Sequence, residues 1–127
     1  MAESLTELIE DVIDVFNEID VTGVKLTVRS APPDKVNKND VWVEVSEYSQ
    51  ETYSSRRVNL SAYFILGPIT SRSTLYPAAL KLMDAILEET KLAGEPVDWN
   101  FVRPALAEGS SGEYLSIQAI GYGVVDN

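Results

Sequence analysis

The stretch EYSQETYSSRRVNLSAYFIL, Glu47 to Leu66, changes from polar to apolar along its length. One face of the predicted strand is apolar at every second position: Val58, Leu60, Ala62, Phe64 and Leu66. The other face changes from Arg57, Asn59 and Ser61 to Tyr63 and Ile65. This pattern predicts a solvated hairpin tip that leads into a strand covered on both faces.

Two further strands are predicted before this stretch. Val41, Val43 and Val45 alternate with Trp42, Glu44 and Ser46, and Val24, Leu26 and Val28 alternate with Lys25, Thr27 and Arg29. The intervening segment, Ser30 to Asp40, contains two prolines, two asparagines and two aspartates. Such residues favour turns, so we expect a loop there.

An acidic amphipathic helix is predicted at the start of the chain. Ser4 and Glu7 form a capping-box pattern, and an apolar stripe follows at Leu5, Leu8, Ile9, Val12, Phe16 and Ile19. The other side carries Glu7, Asp11, Asp14 and Glu18. Because like charges at this spacing cost about 0.2–0.5 kcal/mol per pair, the helix needs to dock its apolar stripe. Gly23 then marks a stop.

A second helix and a closing hairpin complete the predicted fold. The helical stripe is Leu75, Ala79, Leu82, Met83 and Ile86. Pro77 belongs in a first turn, which places the helix start near Thr74 to Tyr76, and Gly94 and Pro96 mark its end. The hairpin pairs Val97, Trp99, Phe101 and Arg103 with Leu115, Ile117 and Ala119 through the turn EGSSG, Glu108 to Gly112.

These elements predict one α+β domain over residues 1–127, in the order α-β-β-β-α-β-β. We expect a mostly antiparallel sheet of about five strands with the helices packed on one face. We also expect AYFIL, residues 62–66, to be covered on both faces, by helices and by the core beside LYPAALKLM.

The charge of the chain disfavours several classes of partner. The net charge is -10, and seven of the 20 acidic residues lie in residues 1–20, which contain no lysine or arginine. Nucleic-acid phosphates and anionic lipids both require a positive surface. No apolar run approaches the roughly 20 residues that span a membrane. The acidic start, MAESLTELIED, does not resemble a signal peptide, so we expect a protein made and retained in a cytoplasm.

The residue types also disfavour catalysis. The chain contains no cysteine and no histidine, which removes thiolate ligands and the commonest general base. Acid pairs such as Asp11 and Asp14 are assigned to a solvated helix face. We therefore expect no catalytic site, no cofactor and no metal site.

The hairpin tip holds the candidate contact residues. They are Tyr48, Tyr53, Arg56 and Arg57, and Arg56-Arg57 is the only adjacent basic pair in the chain. Tyrosine and arginine are enriched in protein interfaces, so the tip is either an arm that contacts a partner or an idle turn. Trp42 and Trp99 are interpreted as core or sheet-face residues rather than ligand platforms.

Assembly is the favoured class of function. A domain of this size with two helices does not cover its sheet fully, so neighbouring copies are expected to supply cover. A closed ring is one natural outcome of repeating a heterologous interface, when the rotation between neighbours closes.

The outline of the chain resembles the tail terminator proteins of long-tailed, siphovirus-type bacteriophages. The resemblance rests on the helix SLTELIEDVIDVFNEI, the proline-containing loop, the strands VWVEVSEY and RRVNLSAYFILG, the helix STLYPAALKLMDAILEET and the hairpin around EGSSGEYLSIQAIGY. It covers nearly the whole chain as an arrangement of elements, without an invariant motif.

The resemblance implies a virion protein that forms a homohexameric ring. The ring caps the head-proximal end of the tail tube, stops tube polymerisation and offers a surface to the head-tail connector. It implies no catalysis and no cofactor, and DNA passes through without specific binding. We expect the acidic face, Glu7, Asp11, Asp14 and Glu18, to lie on the lumen or the outer rim rather than at subunit contacts, and on the lumen it would repel DNA phosphates.

Two alternatives stay open. One is another neck or tail-completion ring protein. The other, from a different class, is a small cytoplasmic ligand-binding or adaptor domain in which Trp42 or Trp99 lines a pocket.

Overall fold

A computed structural model of the chain describes residues 3–92, 97–109 and 112–126. Within those residues the elements are α1 (Leu5–Asn17), β1 (Thr27–Val28), β2 (Asp40–Thr52), β3 (Ser55–Pro68), α2 (Arg72–Leu92), β4 (Val97–Gly109) and β5 (Gly112–Asp126). The α+β class and the order α-β-β-β-α-β-β are confirmed.

The described strands form one five-stranded sheet in the order β1-β2-β3-β5-β4. The short β1 runs parallel to β2, and the other three pairings are antiparallel. The stretch AYFIL lies in β3, at the centre of the sheet, between β2 and β5. The predicted closing hairpin is β4 with β5.

Both helices pack on the same face of the sheet. α1 uses the predicted stripe, in which Leu8, Val12 and Phe16 are fully buried. The Ser4 hydroxyl accepts a hydrogen bond from the Glu7 backbone N–H at 3.1 Å, which confirms the predicted cap. α2 lies mainly over β4 and buries Ala79, Leu82 and Ile86.

The prediction that helices cover both faces of AYFIL is wrong. The second face is covered by the loop before β2 and by aromatic side chains. Ile65 is fully buried there with Trp42 and Tyr114, and Val36 of the loop packs against them. The Asn39 backbone N–H donates to the Ile65 carbonyl at 2.8 Å, so the loop is bonded to the central strand. The apolar stripes of both helices are already used on the opposite face.

Two predicted boundaries also need correction. The strand predicted over Val24–Arg29 pairs only at Thr27–Val28, because Val24 is held in a tight turn in which its N–H donates to the Val21 carbonyl at 3.0 Å. α2 begins at Arg72, after a 3₁₀ turn at Ile69–Ser71, so Pro77 is its sixth residue rather than a first-turn residue. The Ser73 carbonyl loses its helical donor there, and Ser73 is exposed to solvent, where water can bond that carbonyl.

Several predicted stop and turn residues lie outside the described part of the chain. They are Gly94 and Pro96 after α2, and Ser110 and Ser111 of the β4–β5 turn.

Asp40 anchors the loop to the sheet edge. Its side chain is almost fully buried and accepts hydrogen bonds from Arg29 Nε at 3.1 Å and from the Asn37 backbone N–H at 2.9 Å. Arg29 Nη2 lies 3.0 Å from the same carboxylate. A buried acid is stable only when it is paired and hydrogen-bonded in this way.

We predict that Asp40→Ala lowers the free energy of unfolding by about 1–3 kcal/mol, because it removes the carboxylate that accepts both bonds. Denaturant unfolding measures the effect. The control is Asp34→Ala, an exposed acid of the same loop, which should change stability by less than about 0.5 kcal/mol. Equal effects of the two substitutions would contradict the anchoring role.

Candidate protein-contact surfaces

The predicted contact arm is the outer half of the β2–β3 hairpin. β2 carries irregular pairing between Val45 and Glu47 and again between Gln50 and Thr52. The turn is closed by a 2.6 Å hydrogen bond between the Thr52 and Ser55 hydroxyls. Tyr53, at the turn, is 100% exposed. The tip is therefore an ordered turn that presents one tyrosine to solvent.

The structure does not bring the four predicted arm residues together. Tyr48 and Arg56 lie on the same sheet face as the helices, in the part of the hairpin that extends past them. Arg56 Nη1 donates a hydrogen bond to the Tyr48 hydroxyl at 3.4 Å. Arg57 points to the opposite face of the sheet, and Tyr53 lies at the turn. The hairpin thus offers two separate faces and a tip rather than one four-residue patch.

Arg57 is held by side chains of its own sheet face. Its guanidinium carbon lies 3.9 Å from the centroid of the Tyr122 ring, and its Nε donates to Asn59 Oδ1 at 3.3 Å. Glu51 Oε1 is 3.7 Å from Nη1, in a half-exposed ion pair. These contacts give Arg57 a structural role in the hairpin in addition to any role in recognition.

A band of side chains crosses the sheet face that lies opposite the helices. The Trp42 and Tyr63 rings stack with centroids 5.2 Å apart. Gln118 connects them to the far strand, because its Nε2 donates to the Tyr63 hydroxyl at 3.4 Å and its Oε1 accepts from Arg103 at 2.9 and 3.1 Å. Arg103 in turn lies 5.7 Å from the centroid of the Phe101 ring. Sequence reasoning missed this band, because cross-strand register brings its members together.

The predicted acidic face of α1 is solvent-facing in the single chain. Glu7, Asp14 and Glu18 are exposed and Asp11 is half-buried. Among the described residues none of the four forms an ion pair with lysine or arginine. The face is therefore a continuous negative surface beside the docked stripe.

Exposed apolar side chains also occur on α2 and on β4. On the outer side of α2, Tyr76 and Leu80 are 49% and 46% exposed and lie one turn apart. On β4, Phe101 and Leu106 are 43% and 60% exposed, and they lie on opposite faces of the sheet because regular pairing continues between them. Sequence reasoning did not single these residues out, although apolar residues outside the α2 stripe were a usable signal.

An apolar groove lies between α1 and the outer edge of β2. It has a volume of about 370 Å³ and is lined by Leu5, Thr6, Ile9, Glu10, Ile13, Ser30 and Val45. Val45 is 40% exposed. Neither tryptophan lines this groove: Trp42 belongs to the band described above, and Trp99 packs in the core, 5.5 Å from Phe16. Both are sheet-face or core residues, in agreement with their interpretation from sequence.

The described residues contain no group of three acidic side chains placed to hold a metal ion. No helix in the described part of the chain has both the length and the apolar character to cross a membrane.

No protein-family model matches the chain, and no curated protein is significantly similar to it.

We predict that the arm residues separate into structural and surface classes. Arg57→Ala should lower the free energy of unfolding by about 1 kcal/mol, because it removes a cation–π contact, a hydrogen bond and an ion pair together. Tyr53→Ala should change it by less than about 0.5 kcal/mol, since the ring is fully exposed. Denaturant unfolding of both variants tests the difference.

Arg57→Lys is the matched control for charge. Lysine keeps the charge that pairs with Glu51 but lacks the planar group that stacks on Tyr122 and the Nε–H that bonds to Asn59, so the stability of Arg57→Lys should lie between that of Arg57→Ala and that of the parent protein. A lysine variant as stable as the parent protein would show that charge alone accounts for the contact.

Proposed function

We propose that the protein is a structural subunit of a bacteriophage tail, a tail terminator that forms a ring at the head-proximal end of the tail tube. The ring stops tube polymerisation and offers a surface to the head-tail connector. The α+β fold and element order agree with the resemblance drawn from sequence. The partners, the virion location and the ring itself are part of the proposal.

One observation carries the proposal: exposed apolar and aromatic side chains occupy separate surfaces of one small domain. Tyr76 and Leu80 lie on α2, Phe101 and Leu106 on β4, and Tyr53 at the hairpin tip. A ring subunit contacts its two neighbours through different surfaces and the tube through a third. Isolated apolar residues are ordinary on a protein surface, but the adjacent pair on α2, together with exposed apolar residues on both faces of β4 and at the tip, favours several contacts.

The negative charge of the chain fits a ring through which DNA passes without binding. Six copies would carry about -60 formal charges before counterion screening. The exposed acids of α1 form a face without described basic partners, so burial of that face against a neighbour would be costly. A position on the lumen or rim leaves these acids solvated, and on the lumen they would repel DNA phosphates.

The two alternatives make different predictions. Another neck or tail-completion ring protein would share the same subunit contacts and would act on the head side of the joint. A cytoplasmic ligand-binding or adaptor domain would not need a ring, and the groove beside α1 would then be its binding site.

We predict a native particle of about 84 kDa, six times the 14.0 kDa chain mass, in native mass spectrometry or light scattering. The double variant Tyr76→Lys/Leu80→Lys should reduce the particle to a monomer, because it places two charges in an apolar contact. The two introduced lysines lie four residues apart and repel each other by only about 0.2–0.5 kcal/mol, and Asp84 follows one turn after position 80, so the docked helix should remain folded.

Asp14→Asn is the control, since it changes an exposed residue of the acidic face and should leave the particle intact. A parent protein that stays monomeric at high concentration would argue against the ring. If the double variant still forms the ring, α2 is not part of the contact between subunits.

A further inference from the structure

The outer edge of β2 is an open sheet edge over most of its length. β1 pairs with β2 only at Asp40 and Val41. In the described part of the chain, no strand pairs with that edge beyond Val41. An open edge of this length is a template for another strand.

The direction of the free backbone groups follows from one hydrogen bond. The Arg29 N–H donates to the Val41 carbonyl at 2.7 Å, so the backbone groups of Val41 point out of the sheet toward β1. Alternate residues of a strand point the same way. The N–H and C=O groups of Val43 and Val45 therefore point outward, and an added strand would hydrogen-bond to them.

The groove beside α1 provides apolar cover for one face of an added strand. Val45 lies at the open edge and also lines the groove, opposite Leu5, Ile9 and Ile13 of α1. A strand paired with β2 would direct every second side chain into this groove. Apolar side chains at those positions would bury the exposed surface of Val45 and of the α1 isoleucines.

The other face of an added strand would meet acids. Glu44 and Glu47 pair across the sheet with Ser61 and Asn59, on the face that carries Trp42. Glu44 accepts a hydrogen bond from Trp42 Nε1 at 2.9 Å, and Glu47 accepts one from Asn59 Nδ2 at 3.3 Å, which fixes both carboxylates. Opposite charges on neighbouring strands attract.

We propose that the edge of β2 from Val43 to Tyr48 binds an extended segment of another protein, in which apolar side chains alternate with lysine or arginine. The segment adds a strand to the sheet, with its apolar side chains in the α1 groove and its basic side chains against Glu44 and Glu47. This mode is β-strand addition, in which the main chain supplies affinity and alternate side chains supply specificity. The inference is independent of the proposed ring.

A second copy of this chain fits the site poorly. Antiparallel pairing of two β2 edges would bring the glutamates of both copies onto one sheet face, where like charges repel. The other open edge, β4, contains Pro104, which cannot donate a backbone hydrogen bond. The chemistry of the edge therefore favours a basic partner over self-association.

The test uses a synthetic peptide of about six residues, an ordinary strand length, in which valine and lysine alternate. We expect saturable binding to the full chain, with amide hydrogen exchange at Val43 and Val45 slowed about tenfold or more. A peptide of the same composition with its lysines and valines in separate blocks is the control. It has the same charge, so general attraction to an acidic protein would act on both peptides alike.

Two variants of the protein locate the site. Val45→Pro removes one outward N–H without removing a bond to β3, since proline is tolerated at such edge positions, and it should weaken peptide binding about tenfold. Glu44→Lys/Glu47→Lys should reverse the preference, so that a valine–glutamate peptide binds better than the valine–lysine peptide. The charge-reversed variant keeps the proposal testable even where the proline variant fails to fold.

Equal binding of the alternating and blocked peptides would overturn the proposal, and so would an unchanged preference in the charge-reversed variant. If exchange at the Val43 and Val45 amides becomes slower as the protein concentration is raised without peptide, the edge pairs with a second copy of the chain instead.

Discussion

The packing of Phe16 against Phe64 and Trp99 connects the parts of this fold. The Phe16 ring lies 5.0 Å from the Phe64 ring and 5.5 Å from the Trp99 ring, so one side chain of α1 contacts the central strand β3 and the edge strand β4. Truncation of a buried phenylalanine typically costs about 3–5 kcal/mol. The like-charge pairs among the α1 acids cost about 0.2–0.5 kcal/mol each. Burial therefore outweighs repulsion, and an acidic helix that would be unstable alone is stable when docked.

This arrangement determines which surfaces remain for partners. Both helices are used on one face of the sheet, and the loop before β2 covers the inner end of the other face. The surfaces left open are the hairpin tip, the outer side of α2, the β4 side chains and the β2 edge. They differ in chemistry: the tip presents a tyrosine, α2 and β4 present apolar side chains, and the β2 edge combines a groove with acids. A small domain with several unlike surfaces is suited to an assembly of more than one protein.

Periodicity in the sequence was sufficient to predict the elements and their order. Three local patterns were enough: the stripe of α1, the cap at Ser4 and the alternation from Val58 to Leu66. Local patterns predict the structure correctly when tertiary packing agrees with them. Contacts that depend on register were not predictable. Arg57 and Tyr122 are distant in sequence, and they meet because β3 pairs with β5 in one particular register.

The loop before β2 shows a second limit of sequence reasoning. Its composition predicted a loop, but not the path of that loop over the sheet face opposite the helices. This path depends on Asn39, which has a positive φ of 72°, and on the buried carboxylate of Asp40. Asparagine tolerates this conformation better than most residues, yet nothing local identifies Ile65 as its hydrogen-bonding partner. The expected helix over that face was wrong because the folded loop, together with aromatic side chains, provides the cover.

Tail length in a phage that encodes this protein tests the proposed function most directly. Electron microscopy of particles made after disruption of the gene measures that length. A tail terminator predicts overlong tube polymers without heads, because nothing stops polymerisation at the head-proximal end. Tails of normal length that lack heads would contradict the account and assign the protein to another step of head-tail joining.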